Sequence, residues 1–412
     1  MNGHYKQKHI YVGVDLHKAT HTAVIVNCWN EKLGEIQFEN KPAAFEELLP
    51  FVKKFYKRGM TPIYGLEDVG GYGRSLAVFL VEHKQKVKEV NSALSFAERK
   101  SYPTTQKSDS WDAECVAKIL VSKLEILPDA NPQDIYWTIG QLVARRNALI
   151  KAHTALKNQL HMQLSHHYPS YKKFFSDMDG KCALEFWHTY PAPHHLKDVS
   201  LEDLREMLLK ASHNTCSTKK AEEIMAVVAA DGETKRDYQE SRDFLIQSHV
   251  RDIRFKKEEV QKVEDQLSRM MKQLGFQLET MPGIDLVTAS ALVAEIGDIH
   301  RFSCPDKLAR FAGIAPVKFS SGGKGKEQKS KQGNRTLHGI FYNLAVKQVQ
   351  VSKGSKLPRN PAFLAYYERK QEEGKTKGQA LVCIMRRLVN IIYGMMKNKT
   401  PYIAPPLAEQ VA

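Results

Sequence analysis

Four acidic side chains, Asp15, Glu67, Asp109 and Asp112, stand where carboxylates can hold divalent cations. Asp15 closes the apolar run IYVGV at 10–14, and Glu67 closes PIYGL at 62–66. A buried strand fixes its last residue in place while an acid there emerges at the sheet edge. Asp109 and Asp112 are three residues apart, so on a helix they share a face. Capping of a helix N-terminus is the other reading of that pair. Four carboxylates brought together repel one another unless cations neutralise them. Hard oxygen donors select Mg²⁺ or Mn²⁺. Two such ions can flank a phosphate, activating the attacking oxygen and stabilising the leaving one.

The elements around these acids predict how they meet. Residues 9–15, 20–27 and 33–39 read as three strands with short polar joins, hence antiparallel hairpins. A helix is predicted over 42–56, with Phe45, Leu48, Leu49, Val52 and Phe55 on one side. A strand over 62–67 follows, then the breaking glycines Gly70, Gly71 and Gly73. A helix over 74–83, a strand over 86–90 and a last helix over 108–123 complete the order βββ-α-β-α-β-α. A ribonuclease-H-like α/β domain has this order. Its first and fourth strands lie side by side, which would bring Asp15 and Glu67 together.

The motifs GVDLHK at 13–18, LEDVGGYG at 66–73 and KSDSWDA at 107–113 resemble the first domain of the DEDD transposases. These belong to the IS110/IS1111 class of bacterial insertion sequences, and their first domain is RuvC-like. The resemblance assigns the four acids to Asp15, Glu67, Asp109 and Asp112. Asp68 is an extra acid beside the second position, and Val69 stands where family members often have Thr.

The chain has 412 residues, 42% of them hydrophobic, enough for two or three domains with full cores. Lys plus Arg is 61 against 46 acids, a net charge of +15, which favours a polyanionic partner. The charge alone fits nucleic acid or an anionic membrane surface. No run reaches about eighteen uninterrupted apolar residues, which argues against a membrane span. The first residues carry no apolar signal-peptide core. Six scattered cysteines with no CxxC pair fit a reducing cytoplasm; the resemblance implies a bacterial cytoplasm, with the protein at the nucleoid. The sixteen histidines show no metal-binding helix spacing and read mostly as surface residues.

The first domain is expected over 1–125 and a helical coiled-coil insert over 126–275. A long helix is predicted over 134–164, where Ile135, Ile139, Leu142, Leu149, Leu156, Leu160 and Leu164 recur at helical steps. A second carries Ile246, Ile253, Val260, Leu267 and Leu274 at sevenfold spacing. The two can pair within one chain or between chains. The resemblance favours a homodimer or homotetramer. Residues 169–240 read as short helices without interpretable chemistry.

A mostly helical domain is expected over 276–412. Residues 281–297 read as a helix-hairpin-helix-like element, able to hold a phosphate on backbone N–H groups, or as a purely structural hairpin. Asp285 replaces the second turn glycine seen in many such motifs. Between 318 and 335 lie Lys318, Lys324, Lys326, Lys329, Lys331 and Arg335 against one acid, with Gly322, Gly323, Gly325 and Gly333 among them. A basic, glycine-rich loop suits a phosphodiester backbone; a surface loop is the ordinary alternative. The runs PGIDLVTASALVAEIGDIHRF, FAGIAPVKFSSGGKG and KQGNRTLHGIFYNLA resemble the second transposase domain of the same family. That resemblance implies a nucleophilic serine just before the glycines, Ser321, with Ser320 as its neighbour.

Taken together, the resemblance implies a transposase of an insertion element that cuts and rejoins donor and target DNA. It further implies a phosphoserine intermediate, Mg²⁺ or Mn²⁺ as cofactor and an element-encoded guide (bridge) RNA. Two rivals remain at this stage. A RuvC-like junction nuclease using water needs the four acids but not Ser321. A non-catalytic nucleic-acid-binding protein needs only the positive charge.

Overall fold

Strand β1 (His9–Leu16) is buried on both faces from Ile10 to Val14 because layers cover it on each side. The computed structural model describes residues 4–68, 70–103, 108–212, 218–232, 236–321, 324–328, 330 and 332–404, with the backbone alone over 317–321 and 324–328. It forms two compact units, Met1–Trp137 and Thr138–Ala412.

In the first unit β1 pairs antiparallel with β2 (Thr20–Val26), which pairs antiparallel with β3 (Lys32–Glu39). On its other side β1 runs parallel to β4 (Thr61–Leu66), and β4 runs parallel to β5 (Lys86–Glu89). The strand order β3-β2-β1-β4-β5 is the ribonuclease-H-like arrangement expected from the sequence.

Alternation along β1 serves two cores. Ile10, Val12 and Val14 join Phe45, Leu48 and Val52 from α1 (Pro42–Phe45) and α2 (Leu48–Lys53), and Leu76, Ala77 and Leu80 from α3 (Arg74–Glu82). Tyr11 faces the other way, into a core with Val116, Ala117 and Leu120 of α5 (Asp109–Lys123). His21 is also fully buried, between Phe38 and Phe45, and so departs from the surface role expected of most histidines.

The single helix expected over 42–56 is two short ones. Pro50 has no N–H to donate into a continuous helix, and its ring would clash with the carbonyl four residues back. In α2 it sits in the first turn, where the N–H has no intrahelical partner anyway. Helix α4 (Ser92–Lys100) was not expected at all. Asn91 caps it by accepting a hydrogen bond from the Ala93 N–H.

The second unit opens along α6 (Asp134–His167). Helices α7 (Lys181–Thr189), α8 (Leu201–Ala211), α9 (Thr218–Asp231) and α10 (Gln239–Leu274) follow. Leu160 and Leu164 of α6 and Ile246, Val250 and Ile253 of α10 share one core with Tyr168, Phe174, Phe186 and Trp187. Arg146 of α6 also pairs with Glu264 of α10 at 2.6 Å. The first part of the sevenfold stripe is therefore covered within the chain.

Next come α11 (Leu286–Ile296), α12 (Pro305–Phe311), a hairpin of β6 (Val317–Ser321) and β7 (Lys324–Gln328), α13 (Arg335–Val349), α14 (Pro361–Glu372) and α15 (Lys377–Asn398). Among the described residues α15 is the one helix with the length and apolarity of a membrane span. It contains Arg386 and Arg387, and Ile384, Leu388 and Ile392 are fully buried where it packs on α12, α13 and α14.

Candidate metal centre and serine hairpin

Register brings the first two acids to neighbouring strand ends. Val14 is the partner of Leu66, so Asp15 and Glu67 are the next residues on adjacent parallel strands. Helix α5 then crosses the sheet at close range. Ser108 caps it by accepting a hydrogen bond from the Trp111 N–H, which places Asp109 and Asp112 in the first turn. Acids are favoured there by the helix dipole.

His17 Nε2 stands 2.9 Å from Asp15 Oδ2 and 3.3 Å from Asp109 Oδ1. Asp15, His17 and Asp109 offer donor atoms that all lie within 4.8 Å of one another. Arg99 of α4 pairs with Asp112 Oδ2 at 2.9 Å. The Asp112 pair holds the Arg99 guanidinium pKa above its ordinary value, and Glu67 adds to that field. Ser95, also from α4, donates to Glu67 Oε2 at 2.7 Å. The four acids thus share one electrostatic neighbourhood.

Burial pushes the Asp15 carboxyl pKa up; His17 opposes that shift, and the charges of Asp112 and Asp109 reinforce it. Asp112 Oδ1 is buried with no hydrogen-bond partner among the described residues. Asp15 Oδ2 meets His17 without the alignment of a hydrogen bond. Buried carboxylate oxygens without donors are costly. A hard divalent cation on Asp15, Glu67, Asp109 and Asp112 would relieve that cost, so the donor set fits Mg²⁺ or Mn²⁺.

Asp68 is occupied elsewhere: its carboxylate accepts from the N–H groups of Gly71 (2.7 Å) and Tyr72 (2.9 Å) and so closes the turn after β4. Val69 and Lys107 lie outside the described residues.

Sequence reasoning missed His17, Ser95 and Arg99. His17 carried a usable signal, since residues two apart at a strand end face the same way. Ser95 and Arg99 came with the unexpected α4.

In the second unit, the region expected as a glycine-rich loop has paired strands. Ser321 partners Lys324, Ser320 partners Gly325, Phe319 partners Lys326 and Lys318 partners Glu327. A Gly-Gly pair between two strands favours a two-residue hairpin turn, which the loop reading overlooked. Ser321 closes β6 and Lys324 opens β7. Gly322, Gly323, Lys329 and Lys331 lie outside the described residues, and Arg335 opens α13. A 3₁₀ turn (Leu278–Thr280) precedes the 281–297 segment, α11 fills most of it, and Asp285 caps that helix by accepting from the Thr288 N–H at 2.7 Å. A carboxylate at this N-terminus repels phosphate, so the phosphate-clamp reading of the segment loses its support.

Residues 12–169 match the DEDD transposase family model of the IS110 type, and residues 276–368 match the IS116/IS110/IS902 transposase family. The chain belongs to the IS110 family of DEDD transposases. This transposase is 26% identical over 409 residues to an uncharacterized 44.8 kDa protein of insertion element IS116 from Streptomyces clavuligerus, covering 98% of each chain. It is 24% identical over 403 residues to a pilin gene-inverting protein of Moraxella lacunata, covering 95% of this chain and 97% of that one. A protein of insertion element IS900 from Mycobacterium paratuberculosis is 22% identical over 397 residues, with 95% and 97% covered. The protein is an enzyme acting on DNA, the transposase of an insertion element.

Proposed function

We propose that this transposase cuts and rejoins DNA through a phosphoserine intermediate, with Asp15, Glu67, Asp109 and Asp112 holding Mg²⁺ or Mn²⁺ and Ser321 as nucleophile. The observation that carries the acid half is the gathering of carboxylates around buried oxygens without donors. The serine half rests on the second family match and on the place of Ser321 at the end of β6. Bound cations would neutralise the phosphate and lower the pKa of a hydroxyl beside it.

In the first step the Ser321 Oγ–P bond forms as a deoxyribose oxygen leaves phosphorus. The leaving oxygen takes the electron pair of the broken bond and a proton, and Oγ loses its own. A free deoxyribose hydroxyl from the exchanged strand then attacks the phosphoserine and releases Ser321. Each step trades one phosphoester for another, so no nucleotide hydrolysis is required. Lys318, Lys324, Lys326, Lys329, Lys331 and Arg335 would meet the phosphate backbone.

The proposal extends to partners. Donor and target DNA are recognised with an element-encoded guide RNA by a homodimer or homotetramer, as the family resemblance implies. The working parts are the metal domain over 1–125, the helical insert over 126–275 and the serine domain over 276–412. A relative named for inverting a pilin gene favours rejoining over simple hydrolysis, because inversion requires cut ends to be sealed.

The deciding experiment traps the reaction on a suicide DNA substrate with Mg²⁺ and the element's RNA, then digests the protein. A nucleotide-modified peptide containing Ser320 and Ser321 is expected. Ser321→Ala should lose the adduct and still bind DNA. Normal cleavage by Ser321→Ala would establish the water-using nuclease instead. Loss only in Ser320→Ala would move the nucleophile by one residue.

A further inference from the structure

We infer that His167, His194, His195 and Asp243 form a second metal site, of the zinc class, in the helical insert. Three of the four lie between the segments matched by the family models.

His194 and His195 sit on the 3₁₀ turn Pro193–Leu196 with their rings 3.9 Å apart, tilted by 39°. Both present Nε2 to one oxygen. His195 Nε2 is 2.7 Å from Asp243 Oδ2, and His194 Nε2 is 3.7 Å from it. The three donor atoms lie within 4.8 Å of one another. Ligands of a tetrahedral zinc at ~2.0–2.2 Å stand roughly 3.3 Å apart, so a small adjustment admits the ion.

His167, the last residue of α6, approaches from another side. Its ring is buried, and its Nδ1, the nitrogen nearest the carboxylate, is 3.9 Å from Asp243 Oδ1 and 3.4 Å from Gln239 Nε2. His167 and His194 also line one cavity of about 470 Å³, through which an ion can enter. Gln239 Nε2 donates to Asp243 Oδ1 at 2.8 Å, which orients the carboxylate and leaves Oδ2 for the ion.

Imidazole nitrogens select zinc over magnesium, so this site and the oxygen-rich acidic centre take different metals. The donors come from the end of α6, the 3₁₀ turn and the first turns of α10. One ion would fasten these three segments as a structural cross-link.

The test loads the full-length protein with Zn²⁺ alone, passes it over a weak chelating resin and measures bound metal by mass spectrometry. About one equivalent per chain should remain, both in the native protein and in an Asp15→Ala/Asp109→Ala variant, and excess Mg²⁺ should not displace it. His194→Ala, at a partly exposed ring, should keep its circular dichroism and lose retention. His195→Ala should behave likewise. Co²⁺ in the native protein should give a tetrahedral visible spectrum, a readout that needs no variant. No retained zinc and no cobalt spectrum would mean that His195 and Asp243 are only an ion pair, and the inference fails. It fails equally if the histidine variants keep the metal or the acid variant loses it.

Discussion

A Cβ placed on Gly13 would stand 2.1 Å from the carbonyl oxygen of Ala113, so β1 and α5 meet backbone to backbone. Contact this close explains how the first turn of α5 reaches the end of β1 and gathers Asp109 and Asp112 around Asp15. The Gly13→Ala change should therefore force α5 outward. Overpacking of this kind costs about 1–3 kcal/mol. Recombination should fall far more than stability, because the acids separate by the same displacement. Thermal unfolding and a strand-exchange assay on one preparation check this. Unchanged exchange would show that the α5 contact does not set the site.

The raised pKa of Asp15 gives a pH prediction. The folded state holds this proton more tightly than the unfolded state does. Stability of the metal-free protein therefore falls as pH rises from the ordinary carboxylate value, about 3.9, through the raised one. Asp15→Asn should remove that dependence and raise the metal-free Tm at neutral pH by a few degrees at most. With Mg²⁺ the order should reverse, because the native carboxylate gains a ligand and the amide does not. Melting curves across pH, in chelator and in Mg²⁺, measure both. A variant less stable than the native chain in chelator would show that burial and the neighbouring acids do not penalise the Asp15 carboxylate.

The parts of this site that were legible in the sequence are those whose burial is continuous. The runs at 10–14 and 62–66 are apolar because β1 and β4 are covered on both faces, and an acid ending each run is conspicuous. Helix α4 was illegible for the opposite reason. Its one large aromatic, Phe96, points to solvent, and the side chain it buries fully is the polar Ser95. Hydrophobic periodicity cannot report a helix whose role is to hand a hydroxyl and a guanidinium to carboxylates. The histidine cluster of the insert was hidden because His167, His194, His195 and Asp243 come from separate segments, which no local spacing reveals.

Asp179 predicts where the insert fails. Its buried carboxylate pairs with Lys157, with Lys257 at 2.9 Å and with His153 at 2.9 Å. Burial alone would raise its pKa, but hydrogen bonding with Asp177 and the bonds donated by Lys157 and Lys257 prevail and hold it well below the carboxylate range. The stability it contributes is present above the ordinary carboxylate value and is lost as pH falls through the depressed one. Asp179→Asn should cost about 1–3 kcal/mol at neutral pH, since it removes the charge that Lys157 and Lys257 share, while Lys157 keeps Asp177 as a partner. The deficit should shrink toward acid. Urea titrations at pH 7 and pH 3 give the comparison, and an equal loss at both would assign the effect to packing.

The hairpin lysines make a prediction about binding. Each Lys or Arg that contacts a phosphate releases counterions, so affinity for nucleic acid should fall steeply with salt. Lys324 and Lys326 lie on β7, directly across from Ser321 and Phe319 of β6. Replacing Lys324, Lys326 and Lys329 together with Gln should flatten the plot of log affinity against log salt by ~3 units or less. The loss should be similar for unrelated sequences, because phosphate contacts carry no base information. Fluorescence anisotropy over a salt series with two duplexes measures both quantities. An unchanged slope would place the hairpin away from the backbone. A loss confined to one duplex would mean that these lysines read bases.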